Sequence, residues 1–449
     1  MIFRSTKLDN LLAARFTMGY SMAFHIIFAC IGMTMPFLMV VSHWLYIKRK
    51  DEIYLRLTKT WSKGVAIFFA IGAVSGTALS FELGLLWPGF MKHAGAIIGM
   101  PFSWEGTAFF IEAVCLGLFL YGWNKLNPYL HWASGLMVGI SGVASGIFVV
   151  TANAWMNSPA GFDWVNGQAV NIDPWAAMFN DAWVSQTLHM TIAAFEATAF
   201  GVAGLHAILL LRKKNVLLHK RAMIIALAIG SVAAIIQPLS GDFSAKDVAK
   251  RQPIKLAAME GQFKTEKGAG LTIGGIPNQE KRTMEYGIKI PKALSFLAYG
   301  DFDAEVKGLN DFPEEYLPPV AFVHFSFQVM VACGTFLAAL GIIFWIIWFK
   351  KKDFLLHPNF LKVVAVGTPL GFIAVEAGWI VTEVGRQPWI IYEILTTAES
   401  VSPVPGQIFH LIVFVISYMI LAFAAVWLMR RQIKALDNDF PEEQLKTAE

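Results

Sequence analysis

Glu376 and Glu383 stand seven residues apart in an apolar run and so fall on nearly the same face of a helix. The run ends in Gly385-Arg386-Gln387-Pro388-Trp389, which adds a guanidinium three residues beyond the second carboxylate. Other apolar runs carry His25, Glu105 with Glu112, His189 with Glu196, and His324 with Met330. Ionisable groups inside hydrocarbon are costly and mark functional sites. Histidines, carboxylates and a methionine without thiolates suit haem iron better than zinc or an iron–sulfur cluster. A His/Met pair is a low-spin electron-transfer set, and a His or carboxylate facing an open position suits oxygen chemistry. Each residue also has a plain packing reading: Met330 is one of 18 methionines, and Arg386 could snorkel to the interface. His43, His206, His324 and His410 are read as interfacial or packing histidines, and Glu82 as a solvated residue at the outer end of the second span.

The elements that must position these residues follow from hydropathy. The chain has 449 residues, 56% hydrophobic and 15% charged, with long apolar runs separated by short Lys/Arg clusters. That composition predicts an all-α polytopic membrane protein; the absence of strand alternation argues against a barrel. Nine spans are expected near 15–46, 62–86, 102–123, 132–152, 184–211, 222–241, 320–349, 361–384 and 407–429. Lys48 to Lys50, Lys125, Arg212 to Lys214, Lys350 to Lys352 and Arg430 with Arg431 fall on one side, which the positive-inside rule makes cytoplasmic. The N-terminus is then outside, the C-terminus inside, and a hydrophilic loop at 242–319 between spans six and seven is external. The whole of 1–449 reads as one integral unit. Its polar N-terminal residues are not a signal peptide, so the first span is expected to be retained. The net charge of +4 calls for no nucleic-acid partner. Cys30, Cys115 and Cys333 lie in apolar runs and are expected to be reduced and buried. With this topology the expensive residues cluster toward the outside, whereas a transporter would place them near the midplane.

Several motifs occur in one order along the chain: Arg15 followed by His25, Trp104-Glu105-Gly106 with Glu112, Ala152-Asn153-Ala154-Trp155-Met156-Asn157-Ser158-Pro159, and His189. Lys255-Leu256-Ala257-Ala258-Met259-Glu260, Met330 and the Gly385 to Trp389 segment complete the series. Together they resemble the large catalytic subunit of cytochrome bd quinol oxidases, from the first span to the ninth. The resemblance implies a quinol:oxygen oxidoreductase of the bacterial plasma membrane with two haem b, one low-spin and one high-spin, and one haem d. It implies His189 and Met330 as axial ligands of the low-spin haem. Glu383 and His25 would be proximal ligands of the other two, with Glu105 on the open side of the His25 pocket. Arg386, Arg15 and Trp379 would meet haem propionates or the ring. Lys255 and Glu260 would act in quinol oxidation on the external loop, which has the family's short form. Glu112 would relay cytoplasmic protons between Ser141 or Ser145 and Glu105, although those serines, with Gly139, Gly142 and Gly146, also fit simple close helix packing.

By the same resemblance, the partners are a second homologous membrane subunit, a small single-helix subunit, quinol (menaquinol or ubiquinol), O2 and membrane lipid. Two positions depart from the family pattern. Phe16, Thr17 and Met18 follow Arg15 where Arg-x-Gln-Phe is common, and Gln328 stands where an Arg precedes the axial methionine by two residues. Three alternatives stay open: a relative carrying haem b in place of haem d, a proton- or ion-coupled transporter, and a haem-binding electron carrier without oxygen turnover.

Overall fold

The computed structural model describes residues 2–438, with side chains from Asn10 to Lys434. Nine helices among the described residues are long and apolar enough to cross a membrane. They are Asn10–Arg49, Glu52–Leu86, Pro88–Tyr121, Pro128–Asn157, Trp183–Leu211, Val216–Arg251, Val320–Lys350, Pro358–Val384 and Gln407–Lys434, counted below as spans one to nine. Helix starts carry their usual signals. The Asp51 side chain accepts from the Ile53 N–H at 3.0 Å, and Pro88, Pro128 and Pro358 open spans three, four and eight, where a missing N–H costs nothing.

Several helices outrun the apolar windows. Span three begins at Pro88, so most of the 87–101 connection is helix rather than loop. Span six continues to Arg251, and the long connection begins at 252 instead of 242. Hydropathy marks the bilayer, whereas the helix continues until a breaker arrives, here Pro253 after Gln252. The Asp242–Lys246 and Asp247–Arg251 pairs, both at 2.6 Å, lie along this polar extension. The connection is folded: a helix at Pro253–Glu260, antiparallel strand pairs 266–267 with 305–306, 271–273 with 288–290 and 276–278 with 283–285, and a helix at Ala293–Tyr299.

Spans one to four pack as one four-helix group and spans five to eight as another, joined where spans one and four meet span five. Span nine lies against spans one and two. Small residues set the closest approaches. A Cβ on Gly139 would fall 2.7 Å from the Phe37 ring, and one on Gly146 2.7 Å from Met33 Sδ. This supports the packing reading of the span-four glycines. The three cysteines are unbridged, and Cys30 is buried.

Candidate functional site

His25 on span one and His189 on span five are held in the same way. His25 Nδ1 lies 2.9 Å from Ser75 Oγ on span two, and that hydroxyl is itself within reach of the Ile71 and Gly72 carbonyls at 3.0 and 3.1 Å. A hydroxyl has one hydrogen, which the carbonyls take, so the serine oxygen accepts from the ring Nδ1–H. His189 Nδ1 lies 3.0 Å from Ser240 Oγ on span six, whose hydrogen goes to the Gln237 carbonyl at 2.8 Å. In both rings Nε2 therefore keeps its lone pair, the arrangement of a metal-ligating histidine. Gln237 Nε2 is equidistant, at 3.3 Å, from both nitrogens of His189. It is therefore off the Nε2 lone-pair axis, along which Nδ1 would be much the farther atom.

Each ring also faces a glycine beside its serine. A Cβ on Gly76 would stand 3.0 Å from His25 Cε1, and one on Gly241 3.5 Å from His189 Cε1. Met330 of span seven has the same provision: a Cβ on Gly378 of span eight would lie 3.1 Å from its sulfur. The next residue, Trp379, keeps its indole N–H buried without a partner.

Glu383 ends span eight with both oxygens engaged, one by Asn153 Nδ2 of span four and the other by Arg386 Nη2 at 2.7 Å. Arg386 is fully buried, and its Nε and Nη1 have no partner. Lys255 is buried against the same place. Its stem packs over Gly385, its Nζ donates to Asn157 Oδ1 at 2.7 Å, and burial, then Arg386, holds its pKa well below the usual lysine value, with Glu383 opposing. Two basic side chains thus stand against one carboxylate, and an acidic group of a ligand would let both carry charge.

Glu105 accepts from Ser145 Oγ at 3.4 Å, and buried Glu112 is its electrostatic neighbour. Ser141 bonds instead within its own helix, to the Met137 carbonyl at 2.6 Å. Arg15 is exposed. Lys255 and Glu260 share the loop helix but have different neighbours: Glu260 is buried with Oε2 unpartnered and accepts from the Thr272 backbone N–H. Burial pushes its pKa up to about 7, against the lowering effect of that bond. Glu82 overturns its expected solvation. It is fully buried, taking the Ser21 hydroxyl at 2.5 Å, because span nine folds across spans one and two and sets Tyr418 beside Ser21 and Glu82. Gln328 meets the loop, accepting from the Gly274 N–H and donating to the Thr272 carbonyl, each at 3.1 Å. His324 joins it one turn earlier, reaching the Met259 and Gly274 carbonyls at 2.7 and 3.1 Å.

Residues 13–436 match the family described as cytochrome bd terminal oxidase subunit I. The chain belongs to that family. A Bacillus subtilis (strain 168) protein provisionally named cytochrome bd menaquinol oxidase subunit I is 37% identical, over 98% of this chain and all of its own. The cytochrome bd ubiquinol oxidase subunit 1 of the same organism is 33% identical over 95% and 94% of the two chains. A chain of the bd oxidase structure from Geobacillus thermodenitrificans superposes with a TM-score of 0.90 at 36% identity, covering 95% of this chain and 99% of that one. Membership in the bd oxidase family implies haem cofactors and a membrane complex with a second subunit, and makes this a multi-pass bacterial membrane protein.

The residues of this subunit I fit haem: two imidazoles with Nε2 left open, glycines clearing the space beside each ring and beside the Met330 sulfur, and a buried guanidinium with idle donors. Sequence reasoning gave no role to Ser75, Ser240, Asn153 or Asn157. The signal for the two serines is a Ser-Gly pair on the span following each histidine, and for the asparagines their four-residue spacing on one helical face.

Proposed function

We propose that this subunit oxidises quinol at the outer face of the plasma membrane and passes the electrons to O2, forming water with protons drawn from the cytoplasm and without a proton pump. The observation that carries this reading is the matched pair of serine-held histidines, one in each four-helix group. His189 and Met330 would hold a low-spin haem b; His25 and Glu383 would hold the high-spin haem b and haem d, with Glu105 on the open side of the His25 pocket. Arg386, Trp379 and Arg15 would face propionates or rings, and the idle nitrogens of Arg386 and Trp379 support this. When bound, these groups supply electron transfer and the binding and reduction of oxygen.

The side chains supply the rest. Residues 252–319 form the external quinol-binding loop within a single membrane domain. On it, Glu260, with a pKa of about 7, takes a quinol proton and releases it outside. Lys255, which points toward Glu383, orients the donor at the other end of the loop helix. Glu112 passes cytoplasmic protons toward Glu105, and Ser145 touches that acid. The N-terminus lies outside and the C-terminal tail inside. The partners are a homologous second subunit and a small single-span subunit, which would cover apolar faces such as that of span nine, where Phe409 and Phe423 are exposed.

The test is the reduced-minus-oxidised spectrum of the purified complex with and without carbon monoxide, followed by haem extraction. A chlorin band with haem b and a carbon monoxide shift is expected. Haem b alone with that shift would mean a haem-b-only oxidase, haem without the shift an electron carrier, and no haem would overturn the proposal.

A further inference from the structure

An unbroken run of hydrogen bonds leads from the loop helix to Glu383. Lys255 Nζ donates to Asn157 Oδ1 at 2.7 Å, Asn157 Nδ2 donates to Asn153 Oδ1 at 3.0 Å, and Asn153 Nδ2 donates to Glu383 Oε1. Each link donates in the same direction, from cation to carboxylate. The carboxylate end fixes that direction: Glu383, paired with Arg386, accepts, so Asn153 presents Nδ2 to it, Asn157 donates to the remaining Asn153 oxygen, and Lys255 meets the Asn157 oxygen as a donor. Buried chains of this kind polarise one another. Asn157 is also where the start of the loop helix is fastened, since Gln252 Nε2 donates to its backbone carbonyl at 3.0 Å.

We propose that Asn153 and Asn157 are positioning residues that couple the quinol-loop lysine to the Glu383 centre. A quinol that draws Lys255 from Asn157 removes the donor that polarises the two amides, and the Asn153 hydrogen bond to Glu383 weakens. Substrate arrival on the loop is thereby felt at a carboxylate three hydrogen bonds away. The inference rests on Glu383 being a haem ligand.

A redox titration of the high-spin haem at Glu383, resolved spectrally from the low-spin signal, tests the coupling in a double-mutant cycle. Lys255→Met is expected to shift the midpoint in the wild-type background and to leave it unmoved in Asn153→Leu, where the chain is already cut. An equal shift in both backgrounds would show that the lysine acts through space, and no shift in either would show that it does not act; both overturn the inference. Asn157→Leu cuts the chain at its other link and carries the same cycle if Asn153→Leu fails to assemble, with the low-spin signal as the control for folding. If both cuts expel the high-spin haem while the low-spin signal survives, the asparagines hold that centre instead of coupling it, and the inference fails. A Glu383→Ala protein that keeps its full haem complement would instead remove the ligand reading on which the inference stands.

Discussion

The His25 and His189 pockets share one device and differ in what surrounds it. In each, a serine on the following span takes the Nδ1–H and a glycine clears space beside the ring. The first helix group, which carries His25, also carries Glu105 with Ser145 and Glu112, and the buried Glu82 held by Ser21, one turn before the histidine. The second group, which carries His189, brings the Gln237 amide to that ring and also holds the Met330 thioether lodged against Gly378 and the acids Glu196, Glu376 and Glu383. Imidazole presentation is thus a local helix–helix contact that can be repeated, whereas the chemistry open to each centre depends on the side chains its helix group brings. Both groups carry acids, so the thioether is the difference, and it suits a centre that only exchanges electrons.

The largest effects should separate the two pockets completely. His189→Ala or Met330→Leu is expected to abolish the low-spin signal while leaving the protein in the membrane and its carbon monoxide response in place. His25→Ala is expected to do the reverse. A single variant that erased both signals with the protein still folded would break the division into two centres.

Next in size are the serines. Orienting partners of metal-bound histidines typically account for a factor of about 10–100 in affinity. Ser75→Ala and Ser240→Ala should each weaken retention of one haem by that order, measured as haem lost per washing step, and should spare the other. Smaller still is the glycine pair, where the pockets should differ. Gly76→Ala places a methyl 3.0 Å from His25, closer than ordinary contact, and should broaden or shift that haem's band. Gly241→Ala meets His189 at 3.5 Å, an ordinary van der Waals distance, and should leave the low-spin band nearly unchanged. Equal responses would mean that the rings are not held as tightly as the serine contacts require.

The nine spans were legible because apolar length marks a span, and His25, His189 and Glu383 stood out as costly residues within them, whereas their expected roles, and Met330 altogether, rested on the family resemblance. The serine anchors were less so. Ser75-Gly76 and Ser240-Gly241 look like Ser134-Gly135, Ser141-Gly142 and Ser145-Gly146, and only the fold shows which pairs face a histidine. Glu82 was misplaced for a related reason, since Tyr418, more than three hundred residues later, stands beside it. The divergence of Lys255 and Glu260 was available in principle. Five residues on a helix turn a side chain through roughly 140°, so the two could not share one face.

The last effect is a pH dependence of the external loop, read only indirectly at the haem centres. Glu260 sits in the folded loop with its pKa raised from 4.5 to about 7 by burial, so the folded loop holds a proton that the unfolded loop gives up earlier. Its stabilising contribution is complete below about pH 4.5 and is lost as pH rises through about 7, by at most about 3 kcal/mol at 1.36 kcal/mol per unit. Amide hydrogen exchange in residues 262–319, corrected for intrinsic rates, should therefore show falling protection between pH 5 and 8, and Glu260→Gln should flatten the trend. Because His324 and Gln328 tie this loop to the span that carries Met330, the low-spin band should respond to the same titration while the His25 band stays fixed. A response at His25 of equal size would mean that the two groups move as one body, and the loop would then be a regulator of the whole subunit.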